Sequence, residues 1–297
     1  TIVPGNTKKT LWNKYYKTDE LPQVISPKSG YVYNANHSPF KSTSIEENLE
    51  PNDFAKNMNF ELYDNNRSKR IFELINSYES INYNDFKEIK YDHTFPTPFH
   101  YNFMDVNQIM DMSPEDYPEI KELLTEIQEW NRKTNIESIG AGTYAMFYYS
   151  LNKYYRKNYI NRNFGKDIIA QALKDVKERM IKYFKTTKVK LGDYQKLVRG
   201  NKEIPIWGMP DVITAMNANN YKKGKIRVTH GESYIQFAKF SKKGTEIESI
   251  ISYGSSDHED SEHYSDQMYI YKNFSTKKMS FDKETNYKNA KKIYNPK

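Results

Sequence analysis

Apolar positions along the chain change their spacing twice. Residues 1–57 show no helical or alternating pattern, and Pro4, Gly5, Pro22, Pro27, Gly30, Pro39 and Pro51 punctuate them too closely for long helices. This part is expected as extended chain and turns lying on another surface. From Asp64 a helix is predicted, since Asp64 or Asn65 can cap it and Ile71, Leu74 and Ile75 recur at three-to-four spacing. A second is predicted from Ser113-Pro114-Glu115-Asp116, a cap followed by proline and acids, with Tyr117, Ile120, Leu123, Leu124, Ile127 and Trp130 on one face. Residues 143–155 read as helical. Gly165-Lys166-Asp167 opens another helix whose Ile168, Ile169, Ala172, Leu173, Val176, Met180, Ile181 and Phe184 are expected to face inward. After Lys185 the period shortens: residues 226–228, 234–240 and 247–253 read as strands separated by Gly231 and by Lys242-Lys243-Gly244.

These regimes predict a continuous α+β unit with no internal repeat: an extended segment over 1–57, a helical region over 58–185, and a strand-rich end over 186–297 closed by a terminal helix. Only 37% of residues are apolar and mean hydropathy is −0.92, which alone suggests disorder. The 26 Tyr, 15 Phe and 3 Trp reverse that reading, because each ring buries a large area when packed. No stretch approaches the roughly 20 apolar residues of a membrane span. The absence of Cys excludes disulfides, thiolate metal sites and a Cys nucleophile. A net charge of +7 invites a nucleic-acid or anionic-surface reading. The lysines, however, lie among nearly as many acids, and the densest run, over 177–190, also reads as a solvated helix end.

Several clusters carry candidate chemistry. Asp257-His258-Glu259-Asp260-Ser261-Glu262-His263 is rich in cation ligands, but the spacing matches no known site and fits a polar loop equally well. His93 and His100 flank a proline-stiffened run and are candidate ligands or bases. There is no GxGxxG, GxxxxGK[ST], HExxH or GxSxG. Thr1, as a chain start without Met, can be weighed as an N-terminal nucleophile, but Pro4-Gly5 breaks the strand that such a residue needs, so it reads as a cut end. The sharpest local feature is Ser29-Gly30-Tyr31-Val32-Tyr33-Asn34-Ala35-Asn36-His37-Ser38-Pro39-Phe40. A turn and a short extended run would present the Asn34 and Asn36 amides to the same side; a plain turn-forming Asn-x-Asn is the competing reading.

That run resembles the penicillin acylase (penicillin amidase) family of N-terminal-nucleophile hydrolases, in which such a stretch follows a lead-in matched here by Leu21-Pro22-Gln23-Val24-Ile25-Ser26-Pro27-Lys28-Ser29-Gly30. The resemblance continues in order along the chain. Asp64-Asn65-Asn66-Arg67 is similar to the arginine-bearing segment. Trp130-Asn131-Arg132 with Gly140-Ala141-Gly142 is similar to a mid-chain stretch, with Asn131 a departure. Leu191-Gly192-Asp193, Leu197-Val198-Arg199-Gly200 and Gly208-Met209-Pro210-Asp211-Val212 match the acylase branch, and His230-Gly231-Glu232-Ser233-Tyr234 and His263-Tyr264-Ser265-Asp266-Gln267 resemble the closing strand and terminal helix.

The resemblance implies part of a four-layer αββα fold and an amidohydrolase that cleaves N-acyl bonds. Asn36 would donate its side-chain N–H to the oxyanion, Arg67 would orient the site, and Asn34 and His37 would assist binding, Asn34 chiefly by bracing the loop. It implies that the Ser nucleophile lies upstream of Thr1, so that this chain is the C-terminal part of the large subunit, inactive alone, with the N-terminal remainder of the precursor as partner. Substrates would be N-acylated small molecules such as β-lactams, acyl homoserine lactones or lipopeptides. No metal is assigned to this chain, calcium being expected only in the full-length parent, and the expected location is periplasmic or secreted. The competing class is a Tyr-rich basic module for glycans or single-stranded nucleic acid. The acylase reading predicts mostly buried rings, chain ends that meet in one sheet, and Asn36 close to Arg67 beside an open groove.

Overall fold

A computed structural model describes residues 2–12, 14–102, 104–157 and 165–293. Thr1 lies outside the described residues. The proline-punctuated N-terminal part forms short 3-10 turns, from Lys8–Thr10 to Lys56–Met58, and no strand. Regular structure begins at α1 (Asn66–Asn76), followed by α2 (Tyr83–Tyr91), α3 (Lys121–Gln128), α4 (Ile139–Lys157), α5 (Lys166–Phe184) and the single turn α6 (Leu191–Tyr194). Seven strands follow: β1 (Gln195–Arg199), β2 (Lys202–Pro205), β3 (Met216–Asn220), β4 (Ile226–Gly231), β5 (Tyr234–Ser241), β6 (Gly244–Ile251) and β7 (Lys277–Met279), with α7 (Met268–Lys272) before β7 and α8 (Lys283–Asn289) after it.

The strands build two small sheets. One has the order β2-β1-β4-β3 with β1 and β4 parallel, the other the antiparallel order β5-β6-β7. The fold is therefore α+β. All the described strands come from residues 195–279, so the expectation that the two chain ends meet in one sheet is not met: the proline spacing that excludes helices from the first 57 residues also denies them ladder partners.

Helix α5 matches its periodicity. Ile169, Ala172, Leu173, Val176 and Met180 are buried, while Ile181, one step off that stripe, is exposed. Helix α3 starts later than Ser113 predicts. Pro114–Asp116 makes one 3-10 turn and Tyr117 leaves helical space, because Pro118 disfavours the α region for the residue before it. The helix resumes at Lys121, with Leu123, Leu124 and Ile127 inside.

The core is mainly aliphatic, with a cluster of buried rings set into it. Tyr144 on α4 is fully buried, stacks on Phe99 at 5.0 Å, and packs against Trp130 and Phe95. Its hydroxyl meets that of Tyr101, and burial raises both phenols well above their ordinary pKa. Arg132 lies 4.1 Å over Phe99 and donates to the Pro96 carbonyl, locking the 95–101 segment to the Trp130 turn. The two glycines of Gly140-Ala141-Gly142 make this packing feasible. A Cβ on Gly140 would strike the Trp130 ring at 2.7 Å, and one on Gly142 would overlap the Val189 carbonyl and come within 2.9 Å of the Leu191 nitrogen. Gly142→Ala should therefore cost about 1–3 kcal/mol in urea unfolding. Gly5→Ala, where a Cβ meets open space, should be near neutral; equal effects would show that close backbone approach does not limit α4.

Candidate active site

The segment carrying the two asparagines is a turn, fixed by its own side chains. Asn34 Oδ1 accepts the Asn36 N–H at 2.7 Å, and Asn36 sits at φ 55°, left-handed backbone that Asn tolerates better than most residues. The two amides therefore do not point to one side as an extended run would place them. Asn34 folds back to brace the turn, and Asn36 projects outward. His37 is buried and uses both ring nitrogens inside the loop: Nδ1 accepts the Ala35 N–H at 3.2 Å, and Nε2 lies 2.7 Å from the Lys41 carbonyl. With Nδ1 accepting, Nε2 is the protonated nitrogen and donates to Lys41. The ring stacks on Tyr33 at 4.8 Å. His37 thus shapes the loop from within instead of facing a ligand.

A helix N-terminus holds this turn from the other side. Asn65 caps α1 by accepting the Ser68 N–H at 2.9 Å, and its Nδ2 donates to the carbonyls of Ala35 and Asn36 at 2.8 and 3.2 Å. One residue later, the Asn66 N–H and Nδ2 both donate to Asp211 Oδ2, at 3.0 and 2.8 Å. The Asn66 side chain is also paired with the backbone of His100, donating to its carbonyl and accepting its N–H. Arg67 follows on the same turn. Its Nε donates to Asp211 Oδ1 at 3.1 Å and its Nη1 to Asn36 Oδ1 at 3.0 Å. A carboxylate at a helix N-terminus is also favoured by the helix dipole.

The chemical consequence lies in which end of the Asn36 amide is taken. A guanidinium only donates, so Oδ1 must face Arg67 and Nδ2 must point away. Nδ2 has no protein hydrogen bond among the described residues, and Asn36 is exposed. The result is an amide donor of fixed direction, backed by an ion pair whose two side chains are three-quarters or more buried.

Asn36 and Arg67 are thus in direct contact, as expected from the sequence. Neither residue lines one of the three principal cavities, but a cavity of about 400 Å³ lies next to them, lined by their chain neighbours Tyr33, Ser38, Lys41, Asp64, Ser68 and Lys69. Asp211, with φ 66° in the Gly208-Met209-Pro210-Asp211-Val212 turn, is the residue that sequence reasoning left without a role. Its motif is visible in the sequence, but its partners lie 144 and 145 positions away. His93 is held by Tyr91 and Asn135 and stacks on Phe274, a structural set of contacts. His100 serves the network through its backbone. Burial, then the nearby Lys69, pulls its imidazole below the ordinary range. The acidic run at 257–263 stays on the surface, and no group of three metal-ligating side chains occurs among the described residues.

Two carboxylates tie the turn to its surroundings. Asp64 accepts from Lys41 at 2.6 Å and from Lys69 at 2.8 Å, joining the loop to α1; although burial pushes its carboxyl up, the two lysines hold it below its ordinary range. Glu47 accepts from Ser29, whose N–H lies at 2.7 Å, and from the Lys28 N–H and the Ser44 hydroxyl; these bonds bring its carboxyl down to about 2.

A family profile described as penicillin amidase matches residues 1–288. Among solved structures, the fold is similar to that of a thermostable penicillin G acylase from Alcaligenes faecalis, with a TM-score of 0.52 and 14% identity over 97% of this chain. This chain spans 61% of the length of that one.

Two predictions follow from the geometry. Asp211→Ala strips an acceptor from both Arg67 and the start of α1, and should cost about 2–3 kcal/mol in unfolding free energy while accelerating amide exchange at residues 34–37. Unchanged exchange there would show that the loop does not depend on Asp211. The Glu47 clamp, because its folded pKa of about 2 lies below the ordinary 4.5, is fully present above pH 4.5 and is lost as pH falls through 2. In an NMR titration the Ser29 amide should shift with a midpoint near 2; a midpoint at 4.5 would mean the clamp is absent in solution.

Proposed function

The chain belongs to the penicillin amidase family, and from that premise we propose that it is the part of an acylase-type amide hydrolase that supplies the oxyanion donor, Asn36, together with the arginine that aims it. The observation that carries this reading is the 3.0 Å hydrogen bond from Arg67 Nη1 to Asn36 Oδ1, which leaves Nδ2 free and directed outward.

In the proposed reaction an N-terminal Ser, supplied by a segment upstream of Thr1, attacks the acyl carbon of an N-acyl amide and passes its proton to its own α-amine. Negative charge then gathers on the former carbonyl oxygen. Asn36 Nδ2 donates to that oxygen, a bond that is stronger to the oxyanion than to the ground-state carbonyl, so it lowers the barrier and contributes little to substrate binding. Collapse breaks the C–N bond, the ammonium proton goes to the leaving amine, and water repeats the sequence on the acyl-enzyme. Pre-orientation by Arg67 means that the donor need not reorganise as charge develops. Asn34 and His37 act on the reaction through the shape of the turn.

The same reading places residues 1–297 inside one catalytic domain of four-layer αββα type, in which the upstream remainder of the precursor would supply the facing wall of a groove. This fits the exposure of Asn36, which lines none of the three principal cavities of the described residues. Substrates would be N-acylated small molecules of the β-lactam, acyl homoserine lactone or lipopeptide classes. Calcium would bind, if anywhere, with ligands from the full-length parent, and the enzyme would work in the periplasm or outside the cell. No helix among the described residues is long and apolar enough to cross a membrane. Against the Tyr-rich binding-module reading, Tyr144, Tyr194 and Tyr271 are at most 1% exposed and belong to the core; Trp12, Tyr15 and Tyr287 are exposed, so the expectation of mostly buried rings is met only in part.

In the full-length protein, Asn36→Ala should lower kcat for amide hydrolysis by on the order of 10²-fold to 10³-fold with KM little changed and folding intact. Near-normal turnover would remove Asn36 from the mechanism.

A further inference from the structure

The largest of the three principal cavities of the described residues lies on a different part of the molecule and shares no lining residue with the Asn36 loop. It is a cleft of about 750 Å³ between α4, α5 and the β3–β4 pair. Its floor is apolar and aromatic, with Met146, Tyr149, Val176, Tyr194, Ala218 and Ile226. Its walls carry four cations placed by helical spacing. Lys153 and Arg156 stand three apart on α4, Arg179 and Lys182 three apart on α5, so each pair shares one helix face. Two acids line the same cleft. Asp175 is engaged by Tyr154 at 2.8 Å and by Gln171 at 3.1 Å, while Glu178 forms no hydrogen bond among the described residues. The lining is therefore net positive.

The cations differ in how they are held. Arg179 is fixed: Nε and Nη2 donate to the Gly224 carbonyl, Nη2 also reaches Asn220 Oδ1, and the guanidinium lies over the Tyr194 ring at 5.6 Å. Its Nη1 has no hydrogen bond among the described residues. Lys153 and Arg156 are exposed and form no hydrogen bond or ion pair among the described residues. The opposite wall offers polar groups from β3 and β4: Asn217, Asn219 and Asn220, with Thr229 and His230.

From this arrangement we propose that the cleft is a second binding site, for a phosphate-bearing, hydroxyl-rich ligand of phosphosugar type, either free or as a lipid headgroup. A lone carboxylate has two oxygens and is satisfied by one arginine fork. A phosphate presents three oxygens at tetrahedral directions and is matched by an arginine edge together with further cations from a second helix. The volume falls within the range of small-molecule sites and far exceeds one phosphate. The remaining space is faced by the row of side-chain amides and hydroxyls, donors and acceptors that suit sugar hydroxyls. Arg179, already ordered, loses little entropy on binding, and Lys153 and Arg156 bring the compensating charge.

The test is calorimetric titration of the full-length protein with glucose 6-phosphate, inorganic phosphate and glucose, beside flotation with vesicles containing phosphatidylinositol 4-phosphate. Binding of glucose 6-phosphate, with glucose inert, is expected. Arg156→Gln and Lys153→Gln, on the exposed face of α4, should each weaken it about tenfold, and Glu178→Gln should tighten it. Vesicle binding with the same response to these substitutions and no free-ligand binding would support the site and assign it to a headgroup. Failure to bind every phosphate-bearing probe, equal binding of glucose, or binding indifferent to both α4 substitutions would each overturn it. Amide hydrolysis is not read in this experiment, so its outcome is independent of the role of Asn36.

Discussion

One carboxylate, four-fifths buried, determines how the candidate site is assembled. Asp211 accepts the first N–H of α1, the Asn66 side chain and the Arg67 guanidinium, and so joins a turn after the first sheet hairpin to a helix 145 positions earlier. Hydrogen bonds to a charged acceptor are worth about 1.5–3 kcal/mol, and an unpaired buried charge costs more than their loss. The arrangement therefore holds only as a whole. Once α1 is pinned at its N-terminus, Asn65 falls into place to grip the Ala35 and Asn36 carbonyls, and Arg67 falls into place to grip the Asn36 side chain. The outward direction of one N–H bond is the product of these links.

The cluster of buried rings supports the same point from beneath. Phe95, Phe99 and Tyr101 pack around Tyr144, and Arg132 ties that segment to the Trp130 turn. The next residue along, His100, then presents its backbone N–H and C=O to Asn66. Packing energy from buried rings is in this way converted into position at the N-terminus of α1. The glycines at 140 and 142 permit the approach by leaving room where a Cβ would collide with Trp130 and with the 189–191 backbone.

How much of this was legible in the sequence varied with the range of the interactions. Helix α5 was readable because Ile169, Leu173, Val176 and Met180 repeat locally, and α1 because Asn65 is a strong cap. The start of α3 departs from the capping signal of Ser113 because Pro118 keeps Tyr117 out of the helical region. Strand β3, Met-Asn-Ala-Asn-Asn, has too little apolar content to read as a strand and is recruited by pairing with β4. In the site, Asn36 and Arg67 were visible through motif order, which carries family information that composition does not. Asp211 was visible as a motif but not as a partner, since no local pattern encodes a contact at a separation of 144 residues. The groove expected beside Asn36 has a counterpart only in the neighbouring cavity lined by Tyr33, Ser38, Lys41 and Asp64, and no local pattern tells whether Asn36 itself lines it.

In the proposed reaction Arg67 acts only by orienting Asn36, and a double-mutant cycle on kcat in the full-length protein tests this most directly. Asn36→Ala and Arg67→Lys are measured alone and together. If the guanidinium works through the amide, the double variant loses about as much as Asn36→Ala alone, on the order of 10²-fold to 10³-fold, so the coupling energy nearly equals the Arg67→Lys effect. Losses that multiply would contradict the account, because they would mean that the two side chains act independently.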